Sequence, residues 1–202
     1  MKVGVTGGIG SGKSFVCSIL RQKGYPVYDC DSSAKRLMVE DIALVKDLKA
    51  LIGEEAYTTD GRLNKPKVAA YLFSDDGNAQ RLNAAVHPRV RDDFRRWAEL
   101  QSCPLVFMES AILFESGFDG LVDTTLMVFA PLPVRIRRVM VRDGISEEAA
   151  LSRVRSQLDD DAKMRLADLV VVNDGERDLE LQLNETLDFL NNSQKMANFA
   201  GR

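Results

Sequence analysis

Residues 7–14 constrain this chain more than any other segment, because they read GGIGSGKS and fit the pattern G-x-x-x-x-G-K-S/T. The apolar run MKVGVTG predicts a buried strand directly before them, and helical spacing predicts a helix from Ser14 to Lys23 directly after them. Glycines let successive N–H groups turn inward at a helix N-terminus, where they form a nest for anions. The alternative is a glycine-rich turn that matches the pattern by chance. Such a turn would have no reason to lie between a predicted strand and a predicted helix, as this segment does. The segment therefore predicts a loop that holds phosphate groups.

The positions of this loop have separate predicted tasks in binding ATP. The side chain of Lys13 suits the β- and γ-phosphates, and the Ser14 hydroxyl suits Mg²⁺. Phe15 follows where many such loops carry a second hydroxyl residue, so its backbone N–H alone is expected to contact the α-phosphate. The predicted ATP-binding residues of the loop are Gly8, Ile9, Gly10, Ser11, Gly12, Lys13, Ser14 and Phe15.

Composition limits the class of protein that carries this loop. The chain has 202 residues, 45% of them apolar and 28% charged, as expected for one globular domain with insertions. A net charge of -3 argues against a large nucleic-acid-binding surface. The longest apolar runs are too short to span a bilayer, and no secretory signal or obligate protein partner is evident. Cys17, Cys30 and Cys103 form no CxxC pair, so we expect a reduced, cytoplasmic protein in which Cys17 and Cys30 fill the core.

Short apolar runs between helical stretches predict the fold. Four further strands are expected at residues 25–28, 105–108, 126–129 and 169–172. The helices between them are expected to break near Asp41, at residues 75–77 and at His87-Pro88, and a closing helix at residues 178–190 is expected to precede a frayed tail. Strands that alternate with helices favour an α/β domain built on a five-stranded parallel sheet.

Asp29 and Asp31 flank Cys30 at the expected end of the second strand. Ligands of open parallel sheets gather at the carboxyl ends of the strands, where the phosphate loop also lies. A carboxylate there suits the removal of a proton from an attacking hydroxyl, or the placing of Mg²⁺. In extended backbone, residues i and i+2 face the same way, so both side chains are expected to line one site. The alternative is that Asp31 only caps a helix that begins at Ser32.

Several arginines follow the fourth expected strand. Arg135, Arg138 and Arg142 have the spacing i, i+3, i+7, which puts them on one face of a helix, while Arg137 points elsewhere. Arginines on a closing lid neutralise the charge of a transferring phosphoryl group, since the guanidinium binds phosphate oxygens in pairs. The alternative is an ordinary solvated helix face.

Glu109 and His87 are two further candidates for the site. Glu109 ends the third expected strand near the phosphate edge of the sheet, and we expect it to hold Mg²⁺ through water. Ser110 and Glu115 compete for that task. His87 is the only histidine and precedes Pro88, and its position alone favours a residue at a helix boundary or a hydrogen-bonded structural residue over a catalyst.

Together these residues resemble the dephospho-coenzyme A kinase family over nearly the whole chain. The loop from Thr6 to Ser14 is similar to that family's phosphate loop, and residues 29–31 (DCD) are similar to its D-x-D motif. Residues 87–88 (HP) and 113–115 (LFE) resemble two further motifs of the family. Its lid and last-strand signatures are matched by Arg138, Arg142, Gly144, Arg153, Gln157, Ala167, Asp168 and Asn173.

The resemblance implies the fold of the nucleoside monophosphate kinases, in which a helical insertion binds the substrate and a lid closes over it. The expected parts are a core of residues 1–57, 101–131 and 166–191, a coenzyme A-binding insertion at 58–100 and a lid at 132–165. The resemblance also implies that ATP phosphorylates the 3′-hydroxyl of dephospho-coenzyme A, with Mg²⁺ as cofactor.

Roles for single residues follow from the same resemblance. Asp29 is expected to be the base that activates the 3′-hydroxyl, with Lys13, Arg138 and Arg142 as the other catalytic residues. Asn173 is expected to lie by the adenine of ATP. The expected substrate-binding residues are Asp31, His87, Leu113 and Phe114.

Three positions depart from the family's usual residues, and two other classes of protein stay open. The family usually has Thr at the position of Phe15, Asp and a following Pro around residues 109–111, and Gln at the position of Arg135. A nucleoside monophosphate kinase or another small-metabolite kinase would share every part except the acceptor site. A nucleotide switch or motor is less consistent, because the chain has no N-K-x-D, D-x-x-G or L-S-G-G-Q motif.

Overall fold

The structure, a computed structural model, describes residues 1–200 and the side chains of residues 1–196. Its strands and helices follow one another as β1 (Lys2–Thr6), α1 (Lys13–Gln22), β2 (Val27–Asp29), α2 (Cys30–Glu40), α3 (Ile42–Ile52), α4 (Lys65–Ser74), α5 (Asn78–Glu99), β3 (Val106–Glu109), β4 (Thr124–Phe129), α6 (Leu132–Asp143), α7 (Glu147–Arg155), α8 (Asp160–Leu166), β5 (Leu169–Val172) and α9 (Leu179–Ala200). Short 3-10 helices lie at Glu54–Ala56 and Phe118–Leu121. None of the described helices has the length and apolar character that crossing a bilayer requires.

The strands form one sheet in the order β2-β3-β1-β4-β5. Strand β1 pairs with β3 and β4, and β4 pairs with β5, in each case in parallel. The central strand β1 sets Val5 beside Glu109 of β3 and beside Leu126 of β4. The expected α/β fold with a five-stranded parallel sheet is therefore confirmed.

Strands β1 and β3 are apolar along most of their length, as strands buried on both faces are. Val3 and Val5 of β1 share a core with Phe107 of β3, Leu20 of α1 and Leu183 of α9, and all of these side chains are 0% exposed. Interiors of this kind are close-packed and have little freedom to shift. The packing therefore fixes the end of β1, from which the phosphate loop starts.

The structure divides into two compact units, one with residues 1–28 and those from Leu100 onward, and one with Asp29–Glu99. The second unit begins at Asp29, whereas the sequence placed the start of the helical insertion at residue 58. The reason is that α2 and α3 pack against α5 and so belong with it. The buried side chains of these helices include Leu37, Leu48 and Phe94.

The expected helix breaks have different outcomes. Asp41 separates α2 from α3, and its carboxylate caps α3 by accepting a hydrogen bond from the Leu44 N–H at 3.0 Å. Residues 75–77 separate α4 from α5, as expected. The break expected at His87-Pro88 is wrong, because α5 runs through Pro88. Proline removes one backbone hydrogen bond, and the buried apolar face of this long helix offsets the loss.

The C-terminal helices also differ from the expectation. Helix α8 was not expected, since it is short and is set mainly by Asp159, whose carboxylate caps it through the Asp161 N–H at 2.8 Å. Helix α9 runs to Ala200, past the expected end at Leu190, so the tail expected to fray after Asn191 is helical. Half of residues 191–200 are good helix formers (Gln, Lys, Met and Ala), so the polar composition of this stretch is compatible with a helix. Residues 201–202 lie outside the described chain.

Cys17 and Cys30 are buried, as the sequence indicated. Burial raises the pKa of the Cys17 thiol, and the nearby Glu109 carboxylate raises it further. The thiol therefore stays protonated and serves as a small apolar residue of the core.

Asp168 joins the beginning of β5 to the beginning of β4. Its carboxylate accepts hydrogen bonds from the Thr125 N–H at 2.8 Å, the Thr125 hydroxyl at 2.8 Å and the Thr124 hydroxyl at 3.2 Å. The Asp168 N–H donates in return to the Thr125 hydroxyl at 2.9 Å. The hydrogen bond from the Thr125 side chain lowers the pKa of Asp168 most, against the effect of partial burial. This residue thus fixes the last strand of the sheet.

We expect Asp168→Ala to lower the free energy of unfolding by about 1–3 kcal/mol, because it leaves the donors of Thr124 and Thr125 without their acceptor. Urea denaturation measures the loss, and the exposed Asp188→Ala is a control expected to stay within about 0.5 kcal/mol of the parent. The folded-state pKa of Asp168 is depressed, so its stabilisation is present above the unfolded value of about 3.9 and is lost as pH falls through the folded value. The difference between parent and variant should shrink below about pH 4; a difference that is independent of pH would contradict the role of the charge.

Candidate active site

The loop of residues 7–14 connects β1 to α1, as the sequence predicted. Helix α1 begins at Lys13, and Gly12 occupies its N-cap position with φ 92°. A glycine cap has no side chain with which to bind the first N–H groups of the helix, which leaves them for an anion. Within the loop, the Ser11 N–H donates to the Gly8 carbonyl at 3.0 Å and closes a tight turn. The geometry is that of a phosphate-binding nest.

A single carboxylate oxygen lies between the two side chains of the loop that are suited to phosphate and metal. Oε1 of Glu109 accepts hydrogen bonds from Lys13 Nζ at 2.9 Å and from the Ser14 hydroxyl at 2.6 Å. Arg21 Nη2 of α1 lies 3.6 Å from the other carboxylate oxygen. Glu109 is buried at the end of β3, beside Val5 of β1, so the sheet itself brings the carboxylate to the loop.

The oxygen atoms of Ser14 and Glu109 form a donor set that fits Mg²⁺. This cation takes oxygen ligands and is usually held by one or two carboxylates together with substrate phosphates and waters. The sequence left Ser110 and Glu115 as alternatives to Glu109. The structure gives them other contacts: Ser110 Oγ accepts from the Ile112 N–H at 3.3 Å, and Glu115 pairs with a lysine at 3.0 Å. Glu109 is the carboxylate that the structure brings to Ser14.

Arg138 and Asn173 support the loop from outside the turn. Arg138 Nη1 donates to the carbonyls of Gly10 at 3.4 Å and Ser11 at 3.3 Å, and Nη2 donates to Asn173 Oδ1 at 3.4 Å. Asn173 Nδ2 donates to the Ser11 carbonyl at 2.8 Å. A Cβ on Gly12 would clash with this amide. The structure therefore places Arg138 and Asn173, both predicted site residues, in contact with the phosphate loop.

Arg135 lies at the loop as well, which rules out a solvated helix face for this part of α6. Its side chain is 2% exposed, and Nε donates to the Ile9 carbonyl at 2.9 Å. Gln157 reaches the same residue from the segment before α8, and its Oε1 accepts the Ile9 N–H at 2.8 Å. In the sequence, Gln157 matches the lid signature of the family and Arg135 departs from the family's usual residue. Neither was predicted to contact the phosphate loop. Spacing alone identifies the face of a helix and does not identify what covers it.

The structure separates Arg142 from Arg138, although both were expected to act on one phosphoryl group. The Arg142 guanidinium donates two hydrogen bonds to Asp143, at 2.7 and 3.0 Å, and its side chain is 61% exposed. Arg153 of α7 donates to the same carboxylate at 2.5 Å. In this structure Asp143 therefore holds Arg142 within α6 and joins α6 to α7 through Arg153.

The LFE segment has a packing role that the sequence did not predict. Leu113 is 0% exposed and packs against Gly4, where an added Cβ would lie 2.8 Å from its Cδ2. This burial contradicts the expectation that Leu113 binds the substrate. Phe114 is partly exposed, which keeps it a candidate. Glu115 accepts the Leu158 N–H at 2.9 Å and so anchors the segment that precedes α8.

Lys163 is a buried charged residue that sequence reasoning missed. It is 0% exposed, and its Nζ donates to the Ala111 carbonyl at 2.7 Å and lies 3.0 Å from Glu115. Burial lowers the pKa of the Lys163 ammonium, and the hydrogen bond to Glu115 opposes that shift. Its position near the C-terminus of a short helix resembles that of many solvent-exposed lysines, so the sequence carries no signal for this burial.

The second unit contains the remaining candidates. Asp29 is the last residue of β2 and the N-cap of α2, and its Oδ1 accepts the N–H groups of Asp31 at 3.0 Å and Ser32 at 3.1 Å. The alternative, that Asp31 only caps a helix beginning at Ser32, is wrong, and so is an extended backbone from residue 29 to 31, because α2 begins at Cys30 with Asp29 as its cap. Asp31 lies exposed in the first turn of α2.

His87 lies half-buried in the middle of α5 rather than at a helix boundary. Burial lowers the pKa of its imidazole, and the positive charge of Arg91 lowers it further. The imidazole is therefore favoured in its neutral form, which is suited to hydrogen bonding.

A parallel sheet with the phosphate loop after its central strand, and with a carboxylate at the end of the neighbouring strand β3, places the chain in the P-loop nucleotide-binding class. Solved structures of that class share the fold: shikimate kinase from Bacteroides thetaiotaomicron aligns with a TM-score of 0.53 over 95% of this chain and 98% of that chain, at 15% identity. At such identity the likeness shows the fold alone.

Closer relatives identify the family. A family model described as dephospho-CoA kinase matches residues 1–178. The dephospho-CoA kinase of Bacteroides fragilis (strain YCH46) is 44% identical over 191 residues, which cover 94% of this chain and 93% of the relative. A crystal structure from Thermus thermophilus aligns with a TM-score of 0.81 at 41% identity, over 94% of this chain and 97% of that chain. The chain belongs to the dephospho-CoA kinase family.

Gly12→Ala is expected to weaken ATP binding by about tenfold or more. The added methyl group would clash with the Asn173 amide and would also occupy a residue with φ 92°. Gly24→Ala is the matched control, since Gly24 has φ 88° but no atom within 4 Å of an added Cβ. The control should lose about 1–2 kcal/mol of stability and keep its affinity for ATP. Calorimetric titration with ATP measures both variants, and parent-like affinity in Gly12→Ala would show that the contact between Gly12 and Asn173 has no part in shaping the ATP site.

Proposed function

We propose that this chain transfers the γ-phosphoryl group of ATP to the 3′-hydroxyl of the ribose of dephospho-coenzyme A, which yields coenzyme A and ADP. The observation that carries the proposal is the phosphate loop whose Lys13 and Ser14 meet Glu109 at 2.9 and 2.6 Å, in a chain of this family. The reaction is the last step of coenzyme A synthesis. A cytoplasmic location is part of the proposal and rests on the cysteine pattern.

ATP is proposed to lie with its phosphates on the loop amides and Lys13. Positioning and electrostatic stabilisation account for most of the catalysis of phosphoryl transfer, so fixed positive charge at the loop is what the reaction requires. Arg138 lies across the carbonyls of Gly10 and Ser11 and is proposed to supply part of that charge. Arg142 is proposed to be a second catalytic arginine. In this role its guanidinium would leave the Asp143 carboxylate and bind a phosphate group of ATP instead.

Mg²⁺ is the proposed cofactor. Ser14 and, through water, Glu109 would hold it, and the bound cation would neutralise phosphate charge. The oxygen donors of these two residues support the assignment. Among the described residues there is no cluster of three or more His, Cys, Asp or Glu that would hold a metal without the help of phosphates.

Asp29 is the proposed general base. Its carboxylate would take the proton of the 3′-hydroxyl as that oxygen forms a bond to the γ-phosphorus and the bond from phosphorus to ADP breaks. The support is its place at the carboxyl end of β2, the edge of a parallel sheet where ligands gather. Asp31, His87 and Phe114 are proposed to contact dephospho-coenzyme A, and Asn173 is proposed to serve the adenine side of ATP.

The choice of acceptor is tested by ADP release with ATP and Mg²⁺. Dephospho-coenzyme A is compared with AMP, CMP, adenosine and no acceptor, and the product is identified by chromatography against coenzyme A. We expect release that depends on dephospho-coenzyme A. Release with AMP or CMP instead would identify a nucleoside monophosphate kinase, and release without any acceptor would contradict the proposed transfer.

Asp29→Asn is expected to lower kcat by about 10²–10⁴-fold and to leave the affinity for ATP unchanged. Asparagine caps helices as well as aspartate does, so α2 should keep its N-terminus while the site loses its base. Asp41→Asn is the matched control, because Asp41 caps α3 in the same unit and has no proposed part in the reaction. Steady-state kinetics and ATP titration measure both variants; near-parental turnover in Asp29→Asn would remove Asp29 as the base.

A further inference from the structure

Both backbone polar groups of Ile9 are bound by side chains from outside the phosphate loop. The Ile9 N–H donates to Gln157 Oε1 at 2.8 Å, and the Ile9 carbonyl accepts from Arg135 Nε at 2.9 Å. Ile9 lies between Gly8 and Gly10, and Gly10 has φ 80°. Glycines on both sides leave these peptide groups little resistance of their own to rotation. The two side chains therefore define the orientation of the loop at this point.

Arg135 packs directly against the two glycines that flank Ile9 in the loop. A Cβ on Gly8 would lie 2.5 Å from the guanidinium carbon, and a Cβ on Gly10 would lie 2.5 Å from the Arg135 carbonyl oxygen. The guanidinium is buried and forms an ion pair with Asp160, the first residue of α8. A buried guanidinium needs such a partner to offset the loss of its hydration. Asp160 therefore stabilises the buried guanidinium of Arg135 in the position from which it contacts the loop.

The orientation has a consequence for the next N–H group. Peptide groups are planar and the described chain has no cis peptide bond, so a C=O and the following N–H point in opposite directions. Because Arg135 holds the Ile9 carbonyl on its own side, the Gly10 N–H points away from Arg135. That N–H belongs to the stretch of amides that forms the phosphate nest.

We propose that Arg135 and Gln157 are positioning residues that clamp the peptide groups of Ile9 and so hold the Gly10 N–H in place for the phosphates of ATP. The proposal rests on the proposed use of ATP and names two residues through which α6 and the segment before α8 shape the nucleotide site. Neither residue contacts the phosphates in this scheme. Arg135 acts on the loop through the hydrogen bond that its Nε donates to the Ile9 carbonyl, and its guanidinium pairs with Asp160.

The test uses a pair of variants with the same shape. Glutamine places its Nε2 where arginine has Nε, so Arg135→Gln keeps a donor for the Ile9 carbonyl without the charge. Arg135→Met has a similar length but no donor. Both are made together with Asp160→Asn, so that no carboxylate is left without its partner. Gln157→Leu, which removes the acceptor for the Ile9 N–H, is a third variant that leaves Arg135 and Asp160 intact.

The primary readout is the dissociation constant for ATP by calorimetry, which does not depend on the identity of the acceptor. We expect the Met variant to bind ATP about tenfold more weakly than the Gln variant, and Gln157→Leu to be weakened similarly relative to the parent. In kinetic assays the KM for ATP should rise in the same variants while the KM for dephospho-coenzyme A stays constant. Thermal unfolding identifies any variant that fails to fold, and Gln157→Leu keeps the proposal testable if Arg135→Met does.

Two outcomes would overturn the proposal. If the Gln and Met variants lose ATP affinity equally, the charge of Arg135 is what matters and the clamp through Nε is wrong. If all three variants bind ATP as the parent does and differ only in unfolding temperature, Arg135 and Gln157 are structural residues alone. If the parent does not phosphorylate dephospho-coenzyme A, the proposed function is refuted. The ATP titrations would still show whether Arg135 and Gln157 position the peptide groups of Ile9.

Discussion

One oxygen atom, Oε1 of Glu109, receives both the Lys13 ammonium at 2.9 Å and the Ser14 hydroxyl at 2.6 Å. The contact joins β3 to the phosphate loop, and it exists because β1 and β3 are neighbours with Val5 beside Glu109. Lys13 and Glu109 are both largely buried, so each charge depends on the other for compensation. The central pairing of the sheet therefore sets the chemistry of the loop as well as its position.

The rest of the first unit holds the loop around this contact. Arg138 and Asn173 bind the outer carbonyls of the turn, and Arg135 and Gln157 bind Ile9. These side chains come from α6, from the end of β5 and from the segment before α8. A loop rich in glycine has little shape of its own, so side chains from distant parts of the chain supply it. The glycines let the backbone come close to phosphates, and the side chains around the loop give that backbone a defined conformation.

Much of the fold could be predicted because its signals are local. Five apolar runs and one loop motif were enough for the parallel sheet, and the position of Glu109 at the end of a strand was enough to place it at the loop. The errors concern features that only tertiary contacts decide. Pro88 lies inside a helix because the helix buries a long apolar face, and Leu113 is covered by the chain around Gly4.

The arginines and aspartates show the same limit in the site. The spacing of Arg135, Arg138 and Arg142 predicts a shared helix face correctly but cannot tell which of them is buried, which reaches the loop and which pairs with Asp143. Asp29 and Asp31 are two residues apart, and only the actual start of α2 decides which one is the cap. Neighbours in space, which the sequence does not display, distinguish residues of the same type.

Glu109 acts as the internal counter-charge of the ATP site in this structure, so calorimetric titration of ATP into the parent and Glu109→Gln should detect the removal of that charge. Glutamine keeps an acceptor for Ser14 but removes the negative charge beside Lys13. Without divalent cations, we expect the variant to bind ATP more tightly than the parent, because the phosphates no longer compete with a carboxylate for Lys13. With Mg²⁺ this advantage should disappear, since the variant also loses a metal-binding carboxylate. Weaker binding by the variant in the absence of Mg²⁺ would contradict the role of Glu109 as a competing counter-charge and would show that Glu109 is needed to position Lys13.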